Sequence, residues 1–397
     1  MRNTHVLIAG AGVAGPSLAF CLRRHGIYST IVERAPALRP GGQTVDLRGA
    51  ARDVVEWMGC MDRVRELAVE QRGIAFVDAR GRTIARMPAD LFGGEGIVSE
   101  LEILRGDLVR VLHEATVADT EYIFDDTITA LAPSADGVTV SFESAPPRRF
   151  DVVVGADGLH SVVRGLAFGP DAACVRRLDC YLAWFTAPAP ADLDGWYLMH
   201  NAPGGRVASV RPGRVPGESK VSLAFRSVPL AYDRRDVAAQ KALVAQHFAG
   251  VEWHVPQLLD AMQGASDFVM DPLGQVHLDR WSRGRVVLLG DAGYCATPLT
   301  GLGTSLAVVG AYVLAGELAS ADGDHEVAFA RYESALRRWV TKSQELPPGG
   351  INGFAPESAV AISLRAASMR WMCRWPFRAL LAGQFAKAGD IVLSDYA

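Results

Sequence analysis

The sequence predicts an α/β fold, a Rossmann-like dinucleotide-binding domain interrupted by an antiparallel sheet and followed by C-terminal helices. Three observations predict it. Residues 5–34, HVLIAGAGVAGPSLAFCLRRHGIYSTIVER, read as strand, glycine turn, helix, strand and acid. Two further apolar runs, Val152-Val153-Val154 and Val286-Val287-Leu288-Leu289, each end in a turn built from Gly and Asp. Between them, residues 172–275 change to short alternating runs rich in aromatics and broken by Gly, Pro and Arg, the pattern of an antiparallel sheet.

The first element is the buried strand Val6–Ala9, followed at once by Gly10-Ala11-Gly12-Val13-Ala14-Gly15. Gly10 permits a tight turn, Gly12 a close backbone approach to a pyrophosphate, and Gly15 tight helix–strand packing. A helix over Pro16–Arg24 offers its free N–H groups and partial positive charge to phosphates. Gly26 ends it, and a second strand, Tyr28–Val32, closes on Glu33, an acid suited to the two hydroxyls of an adenosine ribose. This unit alone does not separate FAD from NAD.

After a Pro-, Arg- and Gly-rich loop, the chain around Gly42–Asp46 reads as a short extended piece entering a helix over Ala51–Met58. Ile74–Val77 and Thr83–Met87 predict a hairpin about the turn Asp78–Gly81, and an amphipathic helix follows Arg105 over Gly106–His113. Thr127–Leu131 and Gly137–Glu143 predict another hairpin. The three valines before Gly155-Ala156-Asp157-Gly158 have no alternation, as expected of a strand covered on both faces. Taken alone, Asp157 reads equally as a helix cap.

Helical patterning returns at Asp236–Phe248. Gly290-Asp291-Ala292-Gly293 then ends a third buried strand, and a loop with Pro298, Gly301, Leu302 and Gly303 opens a long helix over Thr304–Leu318. The chain beyond Ala319 reads as helices, with Trp371–Phe385 an aromatic, basic segment packed on its own protein.

Composition bounds the function. The chain has 397 residues, 49% hydrophobic and 21% charged, with a net charge of −4 and no basic block. That supports a full core and argues against nucleic acid as a partner. Six cysteines without a CxxC pair argue against structural zinc and disulfides, and suit a reducing cytoplasm. No signal peptide is read before the first strand. The apolar stretch Ala307–Leu318 is too short to cross a bilayer, so no membrane span is expected.

The three glycine-acid motifs, in this order and spacing, resemble those of the class A flavoprotein monooxygenases, built like p-hydroxybenzoate hydroxylase. The Gly42–Asp46 loop, the length and the helical tail look most like the branch of tetracycline destructases and polycyclic natural-product hydroxylases. The resemblance implies an FAD-binding domain from residues 1–72, 98–172 and 275–330, a substrate-binding region from 73–97 and 173–274, and a helical segment over 331–397. It implies FAD held by Gly10, Gly12, Val13, Ala14 and Gly15 at the pyrophosphate and Glu33 at the ribose, with Arg34 flanking the adenine. Val45 and Asp46 would lie near the flavin ring and Arg105 near the ribityl or phosphate region. Asp157 would serve both FAD and a passing nicotinamide. Gly290 and Asp291 would meet the ribityl chain, and Pro298, Gly301, Leu302 and Gly303 the pyrimidine end.

The implied reaction uses NAD(P)H, with NADPH favoured as a transient donor, and dioxygen. A flavin C4a-hydroperoxide would then hydroxylate an electron-rich aromatic or polycyclic small molecule. A same-fold reductase and a Baeyer–Villiger-type oxygen insertion are the alternatives, followed by a non-catalytic flavin-binding protein. A halogenase is disfavoured by the missing Trp-x-Trp-x-Ile-Pro signature. No protein acid or base is singled out as catalytic. Candidate substrate-lining residues are Tyr181, Trp184, Trp196, Tyr197, Met199, Arg211 and Phe225, each of which also suits ordinary sheet packing. A monomer or weak dimer is expected. The sequence departs from the family where Gly293-Tyr294 stands in place of the usual Ala-His.

Overall fold

A computed structural model describes residues 5–92, 99, 101–372 and 391–396. Two sheets organise it. The first has six strands in the order 282–283, 286–288, 152–155, 5–9, 28–33 and 121–124. All neighbours are parallel except the short 282–283 edge. His5–Ala9 lies between Val152–Gly155 and Tyr28–Glu33, with Ala9 opposite both Gly155 and Val32. The carboxyl ends of these strands therefore converge, and both glycine-acid turns emerge on one rim. Ligands of open α/β sheets sit at such a rim.

Helix Ala14–Arg24 covers one face of this sheet and packs on the long helix Gly303–Ser320, most of whose residues are buried. That helix has 18 residues and is apolar enough by composition to cross a bilayer, longer than the stretch read from the sequence. Here 72% of it lies inside the protein, so its apolarity is accounted for by its place in the core. Its small residues admit close neighbours. A methyl group on Gly310 would stand 2.2 Å from the Tyr294 hydroxyl, and one on Gly316 would stand 2.2 Å from the Tyr396 ring.

The second sheet has seven strands in the order 269–276, 175–188, 218–226, 206–212, 196–202, 73–77 and 83–88. It is antiparallel apart from one junction, where Gly73–Val77 runs parallel to Trp196–His200. The early hairpin thus completes a sheet whose other strands begin only at Val175, well over eighty residues later. Side chains alternate across it. Tyr181, Ala183, Phe185 and Phe225 face helices Val237–Phe248 and Val255–Gly264. Leu182, Trp184, Tyr197 and Met199 face the other way, towards Leu299 and Phe354.

Smaller elements join the two. Thr44–Asp46 pairs antiparallel with Glu102–Leu104, which leads straight into helix Arg105–Glu114. A three-stranded sheet, Ile128–Ser134, Gly137–Phe142 and Arg148–Phe150, leads into the Val152 strand. Helix His325–Ser343 packs on the long core helix. The aromatic, basic segment expected over Trp371–Phe385 lies outside the described residues except for its first two.

Candidate active site

The rim of the parallel sheet is built by close backbone packing. Gly10 has φ +104°, and a methyl group there would stand 2.6 Å from the Ala156 carbonyl oxygen. A methyl group on Gly15 would stand 2.0 Å from the Gly10 carbonyl oxygen. Gly12 differs, since nothing lies within 4 Å of the same position. The turn is therefore packed from below and open at Gly12, a surface on which a ligand can approach the backbone.

Glu33 fixes this turn. Its carboxylate accepts hydrogen bonds from the Ala11 N–H and the Ala35 N–H, both at 2.9 Å. A carboxylate has further lone pairs for ligand hydroxyls. Arg34, next in the chain, is exposed.

Arg105 begins its helix beside the same rim. Its backbone N–H donates to Gln43 O at 2.9 Å, and its guanidinium lies against Gly42. Among the described residues its side chain has no hydrogen-bond partner. Burial holds it below its usual range, Arg39 adds to that, and Glu33 and Asp291 oppose it. A largely enclosed guanidinium between two carboxylates and a glycine turn suits an anionic ligand.

Asp291 follows Gly290 at the end of the third strand, and its carboxylate reaches towards Gly303 at the start of the core helix. Burial raises its pKa, while Cys295 and Arg105 oppose the shift. The carboxyl is surrounded by protein yet open to solvent, so it faces a cleft. The loop before Gly303 is strained. Thr297 has φ 75°, a left-handed conformation that costs a β-branched residue energy. The hydroxyls of Thr297 and Thr44 are both buried without a hydrogen-bond partner among the described residues.

Asp157 behaves as the capping alternative predicts. It accepts from Ser161 Oγ and from the N–H groups of Val162 and Val163 at the start of helix Val162–Phe168. Those bonds orient the turn beneath Gly10. Tyr294, the departure from the family pattern, points into the core. Its hydroxyl lies 2.8 Å from that of Tyr332, and its ring packs on Trp281. Gly310 leaves the space that this larger ring requires.

The antiparallel sheet forms the opposite wall. One cavity is lined by Gly42, Gln43 and Thr44, by Pro298 and Leu299, and by Leu182, Trp184, Tyr197, Arg211, Lys220 and Phe354. It thus gathers the Gly42–Asp46 segment, the Pro298 loop and three of the seven candidate substrate residues. Three of the others are turned away by the sheet's alternation, and the fourth is covered. Tyr181, Trp196 and Phe225 pack on the helix side, where the Tyr181 hydroxyl accepts from Leu230 N–H and Phe225 stacks on His247. Met199 is on the cleft side but buried in the cluster with Phe76 and Leu182.

Sequence reasoning missed Lys220, Phe354 and Glu102. Lys220 is a buried cation beside the apolar run of strand Glu218–Arg226, and it carried no clear signal in a strand that also holds Glu218, Ser219 and Ser222. Its Nζ donates to Thr186 Oγ1 at 2.6 Å and to Glu218 at 2.9 Å. Phe354 comes from the short helix Gly350–Phe354 and carried no signal. Glu102 lies behind Arg211, which donates to it at 2.9 Å and rests 4.0 Å over the Tyr197 ring. No group of three or more metal-ligating side chains occurs among the described residues.

Comparison with known proteins agrees with this architecture. The family described as FAD binding domain matches residues 3–338. A flavin-dependent monooxygenase of Legionella longbeachae is 37% identical over 344 residues, 87% of this chain and 88% of its own. An uncharacterised protein of Mycobacterium tuberculosis is 45% identical over 352 residues, 88% of this chain and 94% of its own. The crystal structure of tetracycline destructase Tet(55) superposes with a TM-score of 0.83 at 33% identity, covering 100% of this chain and 99% of that one.

Proposed function

The chain belongs to the FAD-binding family of flavin-dependent monooxygenases, and on that premise we propose that it uses NAD(P)H and dioxygen to hydroxylate an electron-rich aromatic or polycyclic small molecule. One observation carries the reading. A single cavity is bounded on one side by the Gly42–Thr44 and Pro298–Leu299 segments and on the other by Trp184, Tyr197 and Arg211. Bound FAD supplies the redox and oxygen-transfer chemistry.

The protein's own residues would hold and aim the reactants. The open backbone at Gly12 and the Arg105 guanidinium suit the pyrophosphate, Glu33 the ribose, and Asp291 the hydroxyls of the ribityl chain. The unpartnered hydroxyls of Thr44 and Thr297 suit the polar edge of a flat ring. Leu182, Trp184 and Phe354 keep water from the reacting carbon, and Tyr197 offers a ring face to a planar substrate. Arg211 and Lys220 favour a substrate that carries an acidic enol or phenol oxygen.

Tetracycline is the first compound to test, because Tet(55) is named for destroying it. The purified protein is expected to be yellow and to release FAD on denaturation. A panel of polycyclic enols and phenols is then screened by NADPH oxidation, oxygen uptake and product mass. A gain of one oxygen atom with coupled oxygen uptake supports the proposal. Nicotinamide oxidation with a product gaining only hydrogen would make it a reductase, and a colourless protein that takes up no FAD ends the reading.

Asp291→Ala is expected to raise the FAD dissociation constant by roughly tenfold or more, the worth of one charge-assisted hydrogen bond at about 1.5–3 kcal/mol. Fluorescence titration of the apoprotein measures it. An unchanged constant would remove Asp291 from the cofactor site.

A further inference from the structure

The Gly350–Phe354 helix belongs to neither sheet, yet it reaches the cleft. It is short, and its shape is fixed locally. Gly349 sits in the left-handed region at φ 78°, and a methyl group on Gly353 would stand 2.4 Å from the Pro348 carbonyl oxygen. The Gly353 N–H donates to Gly349 O at 2.9 Å, and the Ala355 N–H to Ile351 O at 2.7 Å. The segment is thus a compact turn that carries one large side chain, Phe354, to the cavity wall.

Two side chains hold that turn by the Phe354 carbonyl oxygen. Asn201 Nδ2 donates to it at 3.0 Å and Arg365 Nη1 at 3.2 Å. The same Arg365 nitrogen donates to Asn201 Oδ1 at 2.7 Å, which closes a ring of polar contacts. Asn201 follows Tyr197 and Met199 at alternate positions, on the cleft face of its strand. Arg365 comes from helix Ala359–Met372, which packs on strands 83–88 and 196–202. Only one orientation of the Asn201 amide serves both neighbours, because a guanidinium only donates and a carbonyl only accepts. Further out, Arg226 donates to Asn352 Oδ1 at 2.7 Å, and the Gly204 N–H to Glu357 O at 2.7 Å.

Packing alone does not call for an arginine at 365. Its guanidinium is largely buried, 4.8 Å from the centre of the Phe76 ring, and pairs with no carboxylate among the described residues. Burial pulls its pKa down to about 10, with Tyr197 opposing, so it stays charged at neutral pH. A buried cation without a counter-ion costs free energy, and an apolar side chain would fill the same place. What the arginine adds is its hydrogen bonds to Asn201 and Phe354. Size follows from the same geometry. With Phe354 in place the cavity measures about 170 Å³. A cavity of about 150 Å³ holds one benzene ring, and a bound cofactor can only take space from this one.

We propose that Phe354 sets the size of the substrate, admitting one aromatic ring or two fused rings and turning larger ring systems away, and that Asn201 and Arg365 are the positioning residues that hold it there. The size limit narrows the proposed function and rests on it; the hold on Phe354 does not.

The test uses the FAD-loaded full chain. Hydrogen exchange of the peptide spanning residues 350–355 reads the hold on Phe354. Asn201→Ala and Arg365→Met are each expected to speed it about fivefold, while the parallel sheet keeps the wild-type rate. Arg365→Lys keeps a cationic donor and should recover most of the difference. Uniform acceleration across the protein, or none at all, would overturn the positioning role.

Size is read by binding, from the change in flavin absorbance with hydroxybenzoate, hydroxynaphthoate and tetracycline. The wild type is expected to bind the one- and two-ring acids more tightly than tetracycline. Phe354→Ala should move that ratio about tenfold towards tetracycline, and Arg365→Met should move it the same way by less. Tetracycline bound most tightly by the wild type, or a ratio that Phe354→Ala leaves where it was, would overturn the size role and leave the proposed function standing. If no probe perturbs the flavin of either protein, the size role falls with the substrate reading, and exchange alone decides the positioning pair.

Discussion

Replacing Gly15 by alanine is expected to abolish stable FAD binding and to cost the fold about 3 kcal/mol or more. The new methyl group would sit 2.0 Å from the Gly10 carbonyl oxygen, far inside van der Waals contact. Neither partner has room to yield. Gly10 is tied through its N–H to Val32 O at 2.7 Å and lies against the Ala156 carbonyl, and helix Ala14–Arg24 is wedged against the core helix. The strain must spread into the parallel sheet or push the helix off it. Gly12→Ala is the matched control, because open space surrounds its position. It should melt within a few degrees of the wild type yet bind FAD more weakly. Thermal melts and flavin content of the two variants separate packing from cofactor approach. A Gly15→Ala protein with normal melting and full flavin would show that the turn can relax.

Glu33→Ala is expected to weaken FAD binding by about a hundredfold. The carboxylate holds two backbone N–H groups, at Ala11 and Ala35, and charge-assisted bonds of this kind are worth about 1.5–3 kcal/mol each. Losing them leaves two backbone donors seeking water at the rim and loosens the glycine turn before any ligand contact is counted. Glu33→Gln retains an acceptor oxygen and should fall between. Titration of apoprotein with FAD measures both. An unchanged dissociation constant in Glu33→Ala would show that neither these turn bonds nor a direct contact of Glu33 supports FAD binding.

How much of this was legible in the sequence depends on the range of the interaction. The first strand, helix and acid were readable because the glycine spacing is local and each glycine answers a local steric demand. The valine run at 152–154 was readable because a strand covered on both faces has no polar side to show. The strand Glu121–Phe124 was not read, since as the sheet's partly exposed edge it is neither alternating nor uniformly apolar. The cleft wall was legible only in part. Composition marked residues 172–275 as a sheet rich in aromatics, but the face each aromatic takes depends on register. A bulge between Arg177 and Tyr181, with Asp179 at φ 48°, shifts that register within a single strand. Tyr181 therefore went to the helices and Trp184 to the cleft. Glu102 was invisible because its meaning comes from two partners, Asp46 and Arg211, far away in the chain.

The lone parallel junction of the large sheet also sets an order in time. Gly73–Val77 is buried along its whole length, and half of its cover is the strand Trp196–His200. During synthesis the apolar hairpin leaves the ribosome well before its partner exists. At about 5–20 residues per second the gap of 119 residues lasts roughly 6–24 s. Through that interval an apolar edge with free backbone groups stands open to other chains. The parallel sheet waits longer still, since its strand at Val286–Leu288 must arrive before Val152–Gly155 is flanked on both sides. A nascent chain stalled between these points carries two incomplete sheets at once. Slowed translation or added chaperone is therefore expected to raise the soluble yield, even where the finished protein is stable.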